Sequence, residues 1–148
     1  DIRTVPKSRH NPHFSGEVLG ESLAAAGIAY VRLAGLGGFR HARKDSRNLG
    51  WRNVSFRGYA DYMETPEFAE ALRMLEALAA EKPTTLMCAE AVPWRCHRSL
   101  VADALSVDGW EVLDIMTETS APAHRRTPFL SVEHGKLSYP GAQTTLID

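Results

Sequence analysis

Residues 84–105, TTLMCAEAVPWRCHRSLVADAL, decide how the chain is read. Thr84, Thr85, Leu86 and Met87 are strand formers; Cys88 and Glu90 follow, Pro93 breaks the run, and Cys96, His97 and Arg98 open an apolar pattern of helical spacing. This predicts strand, loop and helix, with the polar chemistry at the joint. The first turn of a helix carries unpaired N–H donors and the positive end of the macrodipole, so the joint is expected to favour an anion. The same features are expected to lower the pKa of Cys96, and of Cys88 where its side chain turns toward the helix, with burial opposing them.

Working outward, the same alternation recurs. Residues 1–5 read as a strand running into Pro6, and residues 7–14 as a loop, because two prolines disfavour helix. Ser15 is expected to cap a helix over 16–26 with Val18, Leu19, Leu23 and Ala26 on its inner stripe and Gly27 as its stop. Residues 28–33 read as a strand, which completes a βαβ unit. Residues 36–56 are polar, Arg-rich and without period, which marks a functional loop, and Trp51, Phe56, Tyr59 and Tyr62 supply anchors against disorder. A short helix is predicted near 57–63. Thr65-Pro66-Glu67 starts another, burying Phe68, Leu72, Leu75 and Leu78. The last predicted helix buries Leu100, Val101, Ala104 and Leu105, and residues 110–116 read as a fourth strand. The expected fold is therefore α/β, a mainly parallel sheet with helices on both faces in a Rossmann-like three-layer arrangement. It is expected to form one compact domain over 1–148, with residues 117–148 as a covering arm that includes a small hairpin.

Composition narrows the function. The chain has 148 residues, 44% of them apolar, and a formal net charge of −1, which argues against a generally basic coat for nucleic acid. Two cysteines give no disulfide framework, and no apolar run is long enough to cross a bilayer. A cytoplasmic location with reduced thiols is expected. Arginine greatly outnumbers lysine in the first sixty positions, a choice that suits oxyanions, although any single Arg is more often a solvated surface residue.

If loops leaving a parallel sheet converge on its carboxyl rim, Arg9, Arg40, Arg57, Arg95 and Arg98 should face one pocket with Cys88, Glu90, Cys96 and His97. Trp51, Tyr59, Tyr62 or Trp94 is then placed to stack on a base. The leading expectation is a thiol-dependent hydrolase or transferase acting on a phosphate-bearing substrate, a nucleotide or nucleic acid. Cys88 or Cys96 would be the nucleophile, His97 the acid or base, and the arginines and tyrosines the binding groups. The alternative is a non-catalytic nucleotide or nucleic-acid binding module. No cofactor is read. A metal site ranks lower: Cys88, Cys96, His97, Glu90, His10 and His41 are suitable ligand types, but adjacent Cys96 and His97 are not expected to reach one tetrahedral ion. A redox pair is weaker still, since eight positions separate the cysteines. Singly, Cys88, His10 and Trp94 read as packing residues. His41, His124 and His134 read as surface, and Asp61 as a partner for Arg57 or a tyrosine.

The runs DIRTVPKSRHNPHF, AGIAYVRLAGLGGFR, FRGYADYM and LMCAEAVPWRCHRSLVADAL, which lie along the chain, resemble the bacterial and archaeal domain of unknown function family 488. The resemblance implies a cytosolic α/β domain with a pocket around Arg9, Arg57, Cys88, Glu90, Cys96, His97 and Arg98. Members of that family begin with a strand bearing a Thr-Ile-Gly-His-Ser-like signature, so a first strand and helix are expected upstream of Asp1. The resemblance delivers no reaction.

Overall fold

Two of the four helices start where a side chain caps their unpaired N–H groups, and the computed structural model describes residues 1–142. Helix α1 spans Gly16–Ala25, α2 Val54–Tyr62, α3 Pro66–Glu81 and α4 Arg98–Val107. The Asn53 side chain accepts from the N–H groups of Ser55 and Phe56 and so starts α2 three residues before the predicted turn. Thr65 caps Phe68 N–H, with Pro66 at the first helical position. Ser15 does sit at the N-cap of α1, but its hydroxyl accepts from Ser8 N–H and leaves the helix uncapped. Gly27 ends α1 at φ 75°, a conformation that favours glycine.

The predicted parallel sheet is not formed. Among the described residues the paired strands are β1, Ser131–Glu133, and β2, Lys136–Ser138, which make a two-stranded antiparallel hairpin with Ser131 opposite Ser138. This is neither Rossmann-like nor three-layered. The segments read as strands are extended but joined by single bonds: Leu33 N–H donates to Asp1 O at 2.9 Å, the Asp1 amino group to Val31 O at 2.8 Å, and Ile2 N–H to Met87 O at 3.0 Å. A ladder needs a repeating series of such bonds. Within residues 110–116 there is an isolated bridge instead, Leu113 with Ala123, and Thr117 just beyond bridges Ser120. The β-branched residues that suggested a sheet face are accordingly open to solvent, Ile28 at 54%, Val31 at 43% and Ile115 at 59%. Strand propensity measures fit to a half-buried pleated surface, and these side chains have none to fit.

The core is carried by helices. Phe68, Ala71, Leu72 and Leu75 of α3 and Leu100, Val101, Ala104 and Leu105 of α4 meet Ile2, Leu33, Leu36, Tyr59 and Tyr139. The α3 and α4 apolar faces follow the predicted spacing, with Leu78 only partly buried. The α1 stripe does not, since of its predicted residues only Leu19 is buried and Val18 is 48% exposed. Close approach fixes α3 on the Ala34–Leu36 turn, where a Cβ at Gly35 would lie 2.8 Å from the Ala71 Cβ. The hairpin delivers Tyr139 to the centre of the molecule, 1% exposed. Residues 143–148 of the predicted arm lie outside the described residues. No helix among the described residues is long and apolar enough to cross a membrane.

Candidate functional site

Three extended segments end close together and build the site. Asp1 and Ile2 lie between 31–33 and Met87, so the turns that follow each segment share one end of the molecule. The Thr4 hydroxyl donates to Gly38 O at 3.0 Å and ties the first turn to the second. His97 meets both, its Nε2 lying 3.2 Å from Ile2 O and its Nδ1 beside Gly38. A Cβ at Gly38 would sit 3.1 Å from that Nδ1, so glycine is what leaves room for the ring. The Tyr59 ring packs against His97 at a centroid distance of 4.9 Å.

The sulfurs of Cys88 and Cys96 and a ring nitrogen of His97 all lie within 4.8 Å of one another. Cys96 Sγ is 3.7 Å from His97 Nδ1. Cys96 keeps extended backbone at φ −135° and ψ 148°, whereas His97 is already helical at φ −59° and ψ −13°. Neighbouring side chains point to opposite faces along a strand, but this change of conformation between them brings both toward Cys88. The objection that adjacent residues cannot serve one centre therefore falls. Cys96 is buried, while Cys88 and His97 are half-buried and offer an approach from solvent.

The two thiols divide the charge unequally. The neighbouring Cys96 thiol holds the Cys88 pKa far below the usual thiol range, against burial and with further help from His97 and the Glu90 N–H. Cys96 is pushed the other way, first by Cys88 and then by burial, although Arg98 N–H donates to its sulfur at 3.4 Å. The expectation that the helix terminus would ionise Cys96 is thus reversed. Two adjoining sulfurs do not both hold charge easily, and the less buried one ionises.

The predicted binding groups are mostly occupied in holding the frame. Arg98 crosses the 88–98 loop and donates to the backbone carbonyl of Glu90, with Ala91 O at 3.4 Å, and its Nε is buried without a partner. The Glu90 side chain is exposed; its backbone serves the site through its carbonyl and N–H. Arg40 lies over the Tyr62 ring at 3.6 Å and donates to Gly37 O, beside the Gly38 turn. The Tyr62 and Tyr59 hydroxyls donate to Gly35 O and Leu36 O, so both tyrosines shape the 34–37 turn instead of presenting a free face. Arg57 donates twice to Trp51 O, and Arg9 is exposed in the first turn, so neither is held at the sulfurs by a hydrogen bond. A cavity of about 730 Å³, lined by Leu75, Leu86, Met87, Leu105, Val112 and Leu113 among others, includes Arg98 but neither cysteine nor His97.

Two polar clusters escaped the sequence reading. Asp61 is buried and pairs neither Arg57 nor a tyrosine; it accepts from Ser46 Oγ at 2.6 Å, Asn48 Nδ2 at 2.8 Å and Arg43 N–H at 2.8 Å. His124, read as a surface residue, has a side chain only 6% exposed between Asp103 and Asp114. The one available signal was an Asp inside the apolar α4 pattern, since such a carboxylate needs partners.

The family model described as "Domain of unknown function DUF488" matches residues 1–105, and the chain belongs to that family. The match ends within α4, so it takes in Cys88, Cys96 and His97 and leaves the hairpin outside. Comparison with curated proteins gave no match, nor did comparison with solved structures.

Proposed function

We propose that this chain is a thiol-dependent hydrolase or transferase acting on a phosphate-bearing substrate, a nucleotide or nucleic acid, with Cys88 as nucleophile. The observation that carries the reading is the half-buried Cys88 sulfur within 4.8 Å of a second thiol and an imidazole nitrogen, neighbours that lower its pKa. Ile2 O can only accept, so His97 keeps a proton on Nε2, and Nδ1 faces the sulfurs as the nitrogen that gives and takes the working proton. Attack by the Cys88 sulfur forms an S–P bond and breaks the ester P–O bond, and the leaving oxygen takes a proton from the Cys96 thiol. Water, or an acceptor hydroxyl in a transferase, gives a proton to His97 Nδ1 and breaks the S–P bond, which restores the Cys88 thiolate; His97 then returns that proton to the Cys96 sulfur, 3.7 Å from Nδ1. Arg98, which spans the 88–98 loop, and Arg40, beside the Gly38 turn, supply guanidinium charge that favours an anionic substrate.

Single-turnover assays on generic phosphoesters test this. Cys88→Ser abolishes turnover and Cys96→Ser slows it; full activity in both variants removes the nucleophile. A non-catalytic binding module is the second reading, favoured by Trp94, 63% exposed next to the exposed Arg95 on the loop that carries the cysteines. Oligonucleotide affinity that falls with salt but no turnover would select it.

A further inference from the structure

We propose that Cys88, Cys96 and His97 form a binding site for zinc(II), with three protein ligands and a fourth position left to water or another small ligand. This goes beyond the thiol reading and does not rest on it: zinc would occupy the Cys88 sulfur, so the metal-bound chain is the form without a free nucleophile and the metal-free chain the thiol-reactive one. The donor atoms lie within 4.8 Å of one another, and Cys96 Sγ to His97 Nδ1 is 3.7 Å. Tetrahedral zinc, with bonds of about 2.3 Å to sulfur and 2.0–2.1 Å to nitrogen, separates such donors by roughly 3.6–3.8 Å. The site is therefore nearly at its closed dimensions.

Three further features point the same way. A ligating histidine usually donates its other N–H to a carbonyl or carboxylate, which fixes the ring, and Ile2 O stands 3.2 Å from Nε2 in that role. Room is kept beside Nδ1, where any side chain at Gly38 would crowd the ring. Charge also balances: two thiolates neutralise a divalent ion without a carboxylate, and the Glu90 side chain stays exposed. Sulfur and imidazole donors select zinc over the hard cations magnesium and calcium.

The test uses the whole reduced chain after removal of metal by a chelator. Zinc chloride alone is titrated against a competing chromophoric chelator, and cobalt(II) chloride is added in a parallel sample as a spectroscopic probe. One zinc per chain is expected, together with thiolate-to-cobalt charge-transfer absorption and a Tm that rises with zinc. Cys88→Ser, Cys96→Ser and His97→Ala should each weaken zinc by more than the roughly 10–100-fold lost with an outer partner, whereas Glu118→Gln, at an exposed residue, should not change it. Absence of the cobalt–thiolate bands in the unaltered chain overturns the proposal whether or not any variant folds. Folded serine variants that bind zinc as tightly as the unaltered chain do the same. Alkylation of Cys88 in the metal-free chain reads thiol reactivity separately, so the failure of either reading is distinguishable from that of the other.

Discussion

Cys88 and Cys96 form one titrating unit, and the response of each to the loss of the other follows from their geometry. Cys96 contributes most to keeping Cys88 ionised, so Cys96→Ala should return the Cys88 pKa toward the ordinary thiol range of about 8.5. Iodoacetamide modification followed across pH checks this: Cys88 in the unaltered chain stays reactive at mildly acid pH, and the variant loses reactivity there. A pH profile unmoved by the substitution would place the cause of ionisation elsewhere. Gly58 gives a second residue-scale prediction, where two effects oppose each other. Inside α2, alanine is favoured over glycine by about 1 kcal/mol from helix propensity. A Cβ at Gly58, however, would fall 2.2 Å from Arg40 O and 2.8 Å from Ala42 N, which are backbone atoms that cannot swing aside. Overpacking of about 1–3 kcal/mol or more therefore wins. Gly58→Ala should lower stability in urea unfolding and loosen the turn that carries Arg40.

At the scale of elements, the segment after α4 is fastened by one histidine between two carboxylates. His124 Nε2 lies 2.9 Å from Asp103 and its Nδ1 3.1 Å from Asp114, an arrangement that needs protons on both nitrogens. The bond to Asp103 is the main cause of its raised pKa, burial opposes it, and Asp114 reinforces it. Asp103 also accepts from Tyr139 Oη at 2.9 Å and from Thr127 N–H at 3.1 Å, so α4 holds the hairpin and the preceding loop together. The Tyr139 pKa is raised in turn, by burial first and then by Asp103. A group whose pKa is higher folded than unfolded stabilises fully below its unfolded value, about 6.5 for histidine, and loses that contribution as pH rises through the folded value. Melting temperature should accordingly fall as pH rises from about 6 to 9, and His124→Gln should flatten that part of the curve. A slope that persists in the variant would assign the pH dependence to another group.

For the whole molecule, sequence periodicity gave the helices and misjudged how the extended segments associate. The spacing of Phe68, Leu72 and Leu75 and of Leu100, Val101, Ala104 and Leu105 is a local property, and those faces are buried as read. A ladder between 1–5, 28–33 and 84–87 is a long-range property that β-propensity does not encode, and single bonds stand in its place. Likewise, the Cys96-His97-Arg98 joint was legible from residue types, whereas the directions in which Cys88 and Cys96 point, which bring both sulfurs to His97, were not. The tethering of Arg57 by Trp51 O and of Tyr59 by Leu36 O was not, because a backbone acceptor has no sequence signature. The same holds for Asn48, fully buried, which links three distant parts of the chain. Its amide donates to Asp61 Oδ1 at 2.8 Å and to Glu64 Oε1 at 2.9 Å, and its Oδ1 accepts from Tyr139 N–H at 2.8 Å. With no continuous sheet among the described residues to join loop, helix and hairpin, this residue takes that part. Asn48→Ala leaves Asp61 and the Tyr139 N–H short of partners, each costing about 1–3 kcal/mol when buried. Burial opposes ionisation of Asp61, but hydrogen bonds from Ser46, Asn48 and Arg43 N–H outweigh it and lower its pKa. Its stabilisation is therefore present above the unfolded value, about 3.9, and disappears as pH falls through the folded one. Urea unfolding of Asn48→Ala should show a loss of at least about 2 kcal/mol at neutral pH, with a gentler acid limb than the unaltered chain. An unchanged midpoint would mean that the hairpin and α2 are held together by apolar packing around Tyr139 alone.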